Sequence, residues 1–198
     1  MAMKVLDGDG SAFYVDAEGV GSVGDPAKLQ RVLVGGFQKV QCEITRPANV
    51  TAYAAKDCLA DNAPAIGTQV FAGAARINNG HGTITRARIA TDKVDWTAAL
   101  VMFVYNAAPA GGFIADNSAF DNMYADEASL IGKITFPAFT NITGGAGSAS
   151  EAITEGLNIG FECTGDVDDL YFQLYIPSDT PTPASGQKFT VTIDVIQD

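Results

Sequence analysis

The chain has 198 residues, of which 47% are hydrophobic and 18% are charged, and this balance is typical of a globular protein rather than a disordered one. Its formal net charge is −11, with only 12 lysines and arginines and no basic cluster, which disfavours binding to nucleic acid or to an anionic membrane surface. A single domain of this length can bury a self-sufficient core.

The first 36 residues are rich in glycine and only modestly apolar, which predicts an extended arm or a long loop before a folded domain at 37–198. The start MAMKVLDGDG lacks the apolar run of a secretory signal, so we expect a protein made in the cytoplasm without targeting. Asp25 followed by a proline, with Gly35 and Gly36 as a stop, predicts one short helix.

This arm contains G-x-G-x-x-G at Gly19, Gly21 and Gly24, a pattern found in dinucleotide-binding loops. That function needs a buried parallel strand before the motif and a long helix after it. Here the helix candidate is short, and Glu18 stands where a negatively charged pyrophosphate would bind. We therefore interpret the motif as part of a turn-rich arm and expect no cofactor.

Alternating apolar and polar residues predict strands through the first half of the domain. The stretch FQKVQCEIT places Val40, Cys42 and Ile44 on one face. In GTITRARIATD, Ile84 and Ile89 differ in parity, which predicts a β-bulge between them. The stretch AALVMFVYN is apolar on both faces and indicates a central strand that is covered twice.

The second half repeats the pattern in SLIGKITF, LNIGFECT, DLYFQLYIP and QKFTVTIDVIQ, with Gly132 as a bulge or close-approach point in the first of these. The stretch SASEAITEGL has a capping-box spacing from Ser148 to Glu151 and predicts a second short helix. Many short strands separated by turn residues indicate an all-β protein. We expect an antiparallel, jelly-roll-like sandwich with at most one or two short helices.

Few polar residues are candidates for a catalytic or metal site. His81, the only histidine, lies between glycines and is interpreted as a solvated loop residue. Acidic residues cluster in two turns, and neither turn fits a calcium-binding loop, so solvated turns are favoured over weak cation sites. These residues are Asp166, Asp168 and Asp169 in the first turn, and Asp116, Asp121, Asp126 and Glu127 in the second. No pair of carboxylates is distinguished as a hydrolase site, and we predict no enzyme.

The cysteines Cys42, Cys58 and Cys163 cannot all pair within one chain and lack C-x-x-C spacing. We expect buried reduced thiols, with one long-range disulfide as the alternative. Tyr171 and Tyr175 lie on the polar face of their strand. Core packing or cross-strand pairing is favoured for them, and a strip that stacks on carbohydrate or contacts another subunit is the alternative.

Several segments resemble structural proteins of tailed bacteriophages, over roughly Gln38 to Asp198. They are EITRPANVTAYAAKDCLAD, GTITRARIATDKVDWTAALVMFVYNAAPAGGFIADNSAFDN, LIGKITFPAF and TPASGQKFTVTIDVIQD. Members of this group look like capsid decoration, or cement, proteins, so the resemblance implies neither an enzyme nor a cofactor.

Decoration implies binding to the major capsid protein on the outer capsid surface of the virion, after synthesis in the host cytoplasm. A homotrimer suits such a symmetric lattice, and many weak contacts then give tight binding. Neither nucleic acid nor membrane is an expected partner. The alternatives are a tail, neck or fibre-associated virion protein, and a carbohydrate-binding β-sandwich module.

Overall fold

The computed structural model describes residues 36–62, 69–93, 95–121, 124–142 and 149–198, together with the backbone of two strands near the N-terminus. The chain divides into two compact units, Met1–Leu33 and Val34–Asp198. In the first unit, β1 (Met3–Leu6) pairs with β2 (Ala12–Val15) as an antiparallel hairpin. The G-x-G-x-x-G motif and the helix expected after Asp25 lie outside the described residues.

Eleven further strands form the second unit, and a single 3-10 turn at Tyr124–Asp126 is its helical element among the described residues. In chain order they are β3 (Gly36–Thr45), β4 (Cys58–Leu59), β5 (Val70–Phe71), β6 (His81–Thr91), β7 (Leu100–Tyr105), β8 (Leu130–Phe136), β9 (Thr140–Asn141), β10 (Ser150–Thr154), β11 (Ile159–Glu162), β12 (Leu170–Tyr175) and β13 (Lys188–Gln197).

These strands form two antiparallel sheets. The six-stranded sheet has the order β3-β13-β6-β10-β9, and β11 also pairs with β6. The five-stranded sheet has the order β4-β12-β7-β8, and β5 also pairs with β12. Strands that are distant in sequence are therefore neighbours, as where β13 lies between β3 and β6.

One hydrophobic core joins the two sheets. The six-stranded sheet contributes Ile89 and Val191 among others, and the five-stranded sheet contributes Met102 and Phe172, all of them fully buried. Period-2 patterning produces this arrangement because alternate side chains of a strand point to opposite faces of its sheet. The predicted all-β antiparallel sandwich is confirmed, while its jelly-roll connectivity stays a prediction.

Both irregularities expected in the strands are present. The register of β13 against β6 shifts between Asp194, which pairs with Arg86, and Val195, which pairs with Ile84. Thr85 is therefore the extra residue of a bulge, which reconciles the parity of Ile84 with that of Ile89. A second shift leaves Ile131 unpaired beside Gly132, where β8 lies against β7.

The prediction of a helix from Ser148 to Leu157 is wrong, because Ser150–Thr154 is the strand β10. The strand pairs with β6 along its full length. Its Ser150 is fully buried and donates a hydrogen bond from Oγ to the carbonyl oxygen of Lys93 at 2.7 Å. Ala152 is also buried, whereas Glu151 forms an ion pair with Arg88 at 2.5 Å. Pairing with β6 on one side and β9 on the other thus overrides the local capping signal.

Candidate functional site

The most buried ion pair of the described residues is one that the sequence did not indicate. The Nη2 atom of Arg46 lies 2.8 Å from Oδ2 of Asp116, and the two side chains are 0% and 3% exposed. The hydroxyl of Tyr53 donates to Oδ1 of Asp116 at 2.6 Å and also contacts Nε of Arg46. Asp116 was expected in a solvated turn, and that expectation is wrong.

This network connects four loops, which join β3 to β4, β4 to β5, β7 to β8, and β12 to β13. Oδ1 of Asp116 accepts a hydrogen bond from the amide of Ala60 at 3.1 Å, and Nη1 of Arg46 donates to the carbonyl oxygen of Ala184 at 3.4 Å. The guanidinium also lies over the ring of Tyr53, 4.7 Å from its centroid. Both carboxylate oxygens of Asp116 already accept hydrogen bonds within the protein. We therefore interpret the pair of Arg46 and Asp116 as a structural ion pair that holds these loops together.

Burial raises the pKa of Tyr53, and the adjacent charge of Asp116 raises it further. This phenol therefore stays protonated and acts as a hydrogen-bond donor. The network could not be read from the sequence, because Arg46 and Asp116 are far apart in the chain and meet only through the fold.

The other acids of the second predicted turn have different environments. Asp126 is 4% exposed, and its Oδ1 accepts a hydrogen bond from the amide of Ala110 at 2.7 Å. The expectation of a solvated Asp126 is therefore wrong. Asp121 and Glu127 are exposed, as expected for a solvated turn. The buried carboxylate of Asp126 therefore binds a backbone amide of the loop and does not face solvent.

The acidic turn at Asp166, Asp168 and Asp169 is attached to the loop that precedes β6. Oδ1 of Asp166 accepts from Nδ2 of Asn79 at 2.8 Å, and its amide donates to Oδ1 of Asn79 at 3.1 Å. Oδ1 of Asp169 accepts from the amide of Gly73 at 3.0 Å. Two of the three aspartates thus use their side chains to hold backbone and amide groups in place.

His81 is the first residue of β6, and its side chain is 54% exposed. Its Nε2 lies 3.9 Å from Oε1 of Glu162 on the neighbouring strand β11, and the glutamate is 62% exposed. The pair lies on the surface, so solvent screens its attraction. The interpretation of His81 as a solvated residue is confirmed, although it belongs to a strand.

Tyr171 and Tyr175 belong to an aromatic layer on the outer face of the five-stranded sheet. The ring of Tyr175 stacks on Phe120 with centroids 4.8 Å apart and planes 12° apart, and Phe103 lies 5.9 Å away. Phe113 lies 6.5 Å from Tyr171. The segment that follows β7 therefore covers this face, which explains why β7 is apolar on both sides. Stacking on Phe120 occupies one ring face of Tyr175, which favours packing over carbohydrate binding at that residue.

None of the three cysteines forms a disulfide. Cys58 and Cys163 are buried as predicted, while Cys42 on β3 is half-buried. Burial raises the pKa of Cys58 to about 12 and that of Cys163 to about 11. These two thiols therefore stay protonated at neutral pH and pack as small apolar groups.

The outer face of the six-stranded sheet is polar and crossed by ion pairs. Arg86 lies 3.2 Å from Asp194 and 3.3 Å from Glu155, and Lys188 lies 2.8 Å from Glu43. Four large apolar side chains are exposed in the described part of the chain, Phe37 on β3 of this sheet and three outside the strands: Val50, Ile77 and Ile142. Exposed apolar groups on a folded surface are candidates for contacts with other molecules.

A shallow cleft of about 400 Å³ lies at one end of the sandwich, lined by Thr97, Ala98, Ala138, Asp179, Thr180 and Pro181. Oδ2 of Asp179 accepts a hydrogen bond from the amide of Ala99 at 3.2 Å. Within the described residues, no three histidine, cysteine or acidic side chains are grouped so that they could hold a metal ion. The same residues include no helix long and apolar enough to cross a membrane.

No protein-family model matches the sequence, and no curated protein matches it at a significant level.

Proposed function

We propose that this protein is a non-enzymatic decoration protein of a tailed-bacteriophage capsid, which binds the outer surface and bridges major capsid subunits. The segments between Gln38 and Asp198 that resemble phage virion proteins support the proposal. The physical support is a rigid body: two sheets share one core, and buried or half-buried polar groups such as Arg46, Asp116 and Asp169 fasten its loops.

Adhesion to a lattice needs a body of this kind. A rigid sandwich loses little conformational entropy on binding, so that weak contacts repeated over many copies add up to stable attachment. The net charge of −11 favours the outer face of the shell, away from packaged DNA. A homotrimer at three-fold positions of the lattice is part of this proposal.

The test is the number of copies per particle, counted by quantitative mass spectrometry of purified virions that carry the gene. Decoration predicts hundreds of copies, and particles lacking the protein should lose DNA at a lower temperature or a milder osmotic shock. Tens of copies, with antibody labelling at one vertex, would instead assign the protein to the tail or neck. Absence from the particles would refute both virion roles.

A further inference from the structure

The strand β3 forms one edge of the six-stranded sheet. It pairs with β13 along its full length, and no strand of the described residues is hydrogen-bonded to its other side. Edge strands expose unpaired backbone groups that can accept another strand. The edge of β3 is therefore a candidate interaction surface, and its geometry can be worked out residue by residue.

Alternate residues of β3 direct their backbone groups to opposite sides. The amide of Arg46 donates to the carbonyl oxygen of Gln187 at 3.0 Å, so even-numbered residues of β3 bond to β13. Thr45 faces the other way: its amide donates to Oδ2 of Asp61 at 3.0 Å, and its carbonyl oxygen accepts from the amide of Asn62 at 2.8 Å. The odd-numbered residues thus point their backbone groups to the open edge.

From Phe37 to Gln41 no described residue covers this edge in the same way. Within the described residues, the odd-numbered Phe37, Lys39 and Gln41 make no backbone hydrogen bond on the open side, and all three are exposed. Glu43 is also exposed, and among the residues that the structure describes its carbonyl oxygen has only a long contact of 3.9 Å with the Cys42 thiol. The open edge therefore extends from Phe37 to Glu43 and ends where Thr45 is covered.

An apolar side chain marks this edge. Phe37 is 79% exposed, the largest exposure among the large apolar side chains described. Natural edge strands are usually short or protected by charged residues, because a long open edge with an exposed apolar group invites pairing. The strand β3 has ten residues, and Lys39 is the one charged residue in its open stretch before Glu43.

We propose that two copies of this chain pair antiparallel through the open edge of β3, about a two-fold axis at Val40, to form one continuous sheet. In this register Phe37 lies opposite Glu43 of the second copy, and Lys39 lies opposite its Gln41. The four odd-numbered residues of each copy would exchange about eight backbone hydrogen bonds.

The open stretch is self-complementary, which favours a second copy over an unrelated strand. It runs from Phe37 to Glu43 and is centred on Val40, so a two-fold axis there uses all of it and requires no change at Thr45. Lys39 would lie diagonally across the seam from Glu43 of the second copy, a separation that a long side chain can bridge. The lysine that would otherwise discourage pairing would thus share the carboxylate of Glu43 with Lys188 of the second copy.

This contact does not depend on the decoration role. A two-fold contact and a three-fold contact use different surfaces, and in an icosahedral lattice two-fold axes lie between neighbouring three-fold positions. Virion stoichiometry tests the decoration role, whereas the mass of the purified protein in solution tests the β3 pairing. Either can fail without the other.

The first experiment is native mass spectrometry and sedimentation of the full chain over a range of concentrations. We expect species with an even number of 20.6 kDa chains, in equilibrium with smaller ones. Gln41→Pro removes an amide that points to the open edge, and it leaves every hydrogen bond to β13 in place. It should therefore weaken the affinity between copies about 10- to 100-fold. Gln41→Ala keeps that amide and is the matched control. A wild-type protein with no even-numbered species at the highest concentration would overturn the proposal.

A charge exchange tests the register. Lys39→Glu should weaken pairing several-fold, because it places two carboxylates across the seam. Glu43→Lys should also weaken it, both by placing two lysines across the seam and by losing the contact of Glu43 with Lys188 of its own chain. The double exchange should pair more tightly than either single variant, because it restores opposite charges across the seam. If these substitutions leave the pairing affinity unchanged, the two-fold register about Val40 is wrong.

Hydrogen exchange gives a readout that needs no variant. In a single chain we expect the amides of Val40 and Cys42, which bond to β13, to be protected and those of Lys39 and Gln41 to exchange quickly. Pairing predicts that the amides of Lys39 and Gln41 become protected as concentration rises. If both continue to exchange at the fast rate, the open edge is not an interface between copies, and the proposal fails.

Discussion

Replacing Asp116 by asparagine should be among the most destabilising single changes in this protein. The side chain of Arg46 is fully buried, and its Nη2 donates to Oδ2 of Asp116 at 2.8 Å. In Asp116→Asn a donor amide can take that position, and the guanidinium loses its compensating charge. Removing one partner of a buried ion pair costs about 3–5 kcal/mol. Tyr53 and the amide of Ala60 also depend on this carboxylate.

Urea denaturation measures this cost directly. With a slope of about 2 kcal/mol/M, the midpoint of Asp116→Asn should fall by about 1.5–2.5 M, and its melting temperature by about 6–20 °C. The matched control is Glu155→Gln, which removes an exposed carboxylate 3.3 Å from Arg86 and should cost less than about 1 kcal/mol. Equal urea midpoints for the two variants would refute the assignment of Arg46 and Asp116 as a stabilising structural ion pair.

Three further outcomes are expected. Because burial raises the pKa of Cys58 to about 12 and of Cys163 to about 11, against 9.0 for an unperturbed thiol, ionisation favours the unfolded chain at high pH. The free energy of unfolding should therefore fall above about pH 9 in urea titrations, and a pH-independent value between pH 8 and 11 would contradict this. A thiol reagent at pH 8 should label half-buried Cys42 first, and the two buried thiols only as the protein unfolds; equal labelling rates would refute their burial. Gly82→Ala should cost about 1–3 kcal/mol because its methyl group would lie 2.6 Å from the Ile196 carbonyl oxygen, whereas Gly160→Ala, with open space around it, should fold as stably as the wild type.

Strands were the most predictable part of the fold. The alternation in QKFTVTIDVIQ fixed which side chains of β13 face the core, and the parity conflict between Ile84 and Ile89 correctly located a bulge. Both signals are local, because a strand exposes alternate residues to one environment. The helix prediction at Ser150 was wrong for the converse reason. Its short capping signal was weaker than pairing with β6, a strand about sixty residues earlier in the chain.

Side-chain roles were much less predictable. Asp116, Asp126 and Asp121 lie in one acidic segment, and nothing in that segment separates the two buried residues from the exposed one. The aromatic strip at Tyr175 was recognisable as a strand face, but its cover came from Phe120, in a loop that no periodicity describes. Contacts of this kind depend on which loops meet at the surface of a sheet.

The sequence by itself determined the class of this protein, because a period of two in many short apolar runs can be satisfied only by sheets that bury one face. It also determined the net charge of −11, since net charge is a property of composition. Only the tertiary structure decided that Arg46 meets Asp116 and that β3 lies at an open edge. Both depend on the order of strands in the sheets, which is set by long-range packing rather than by any local pattern.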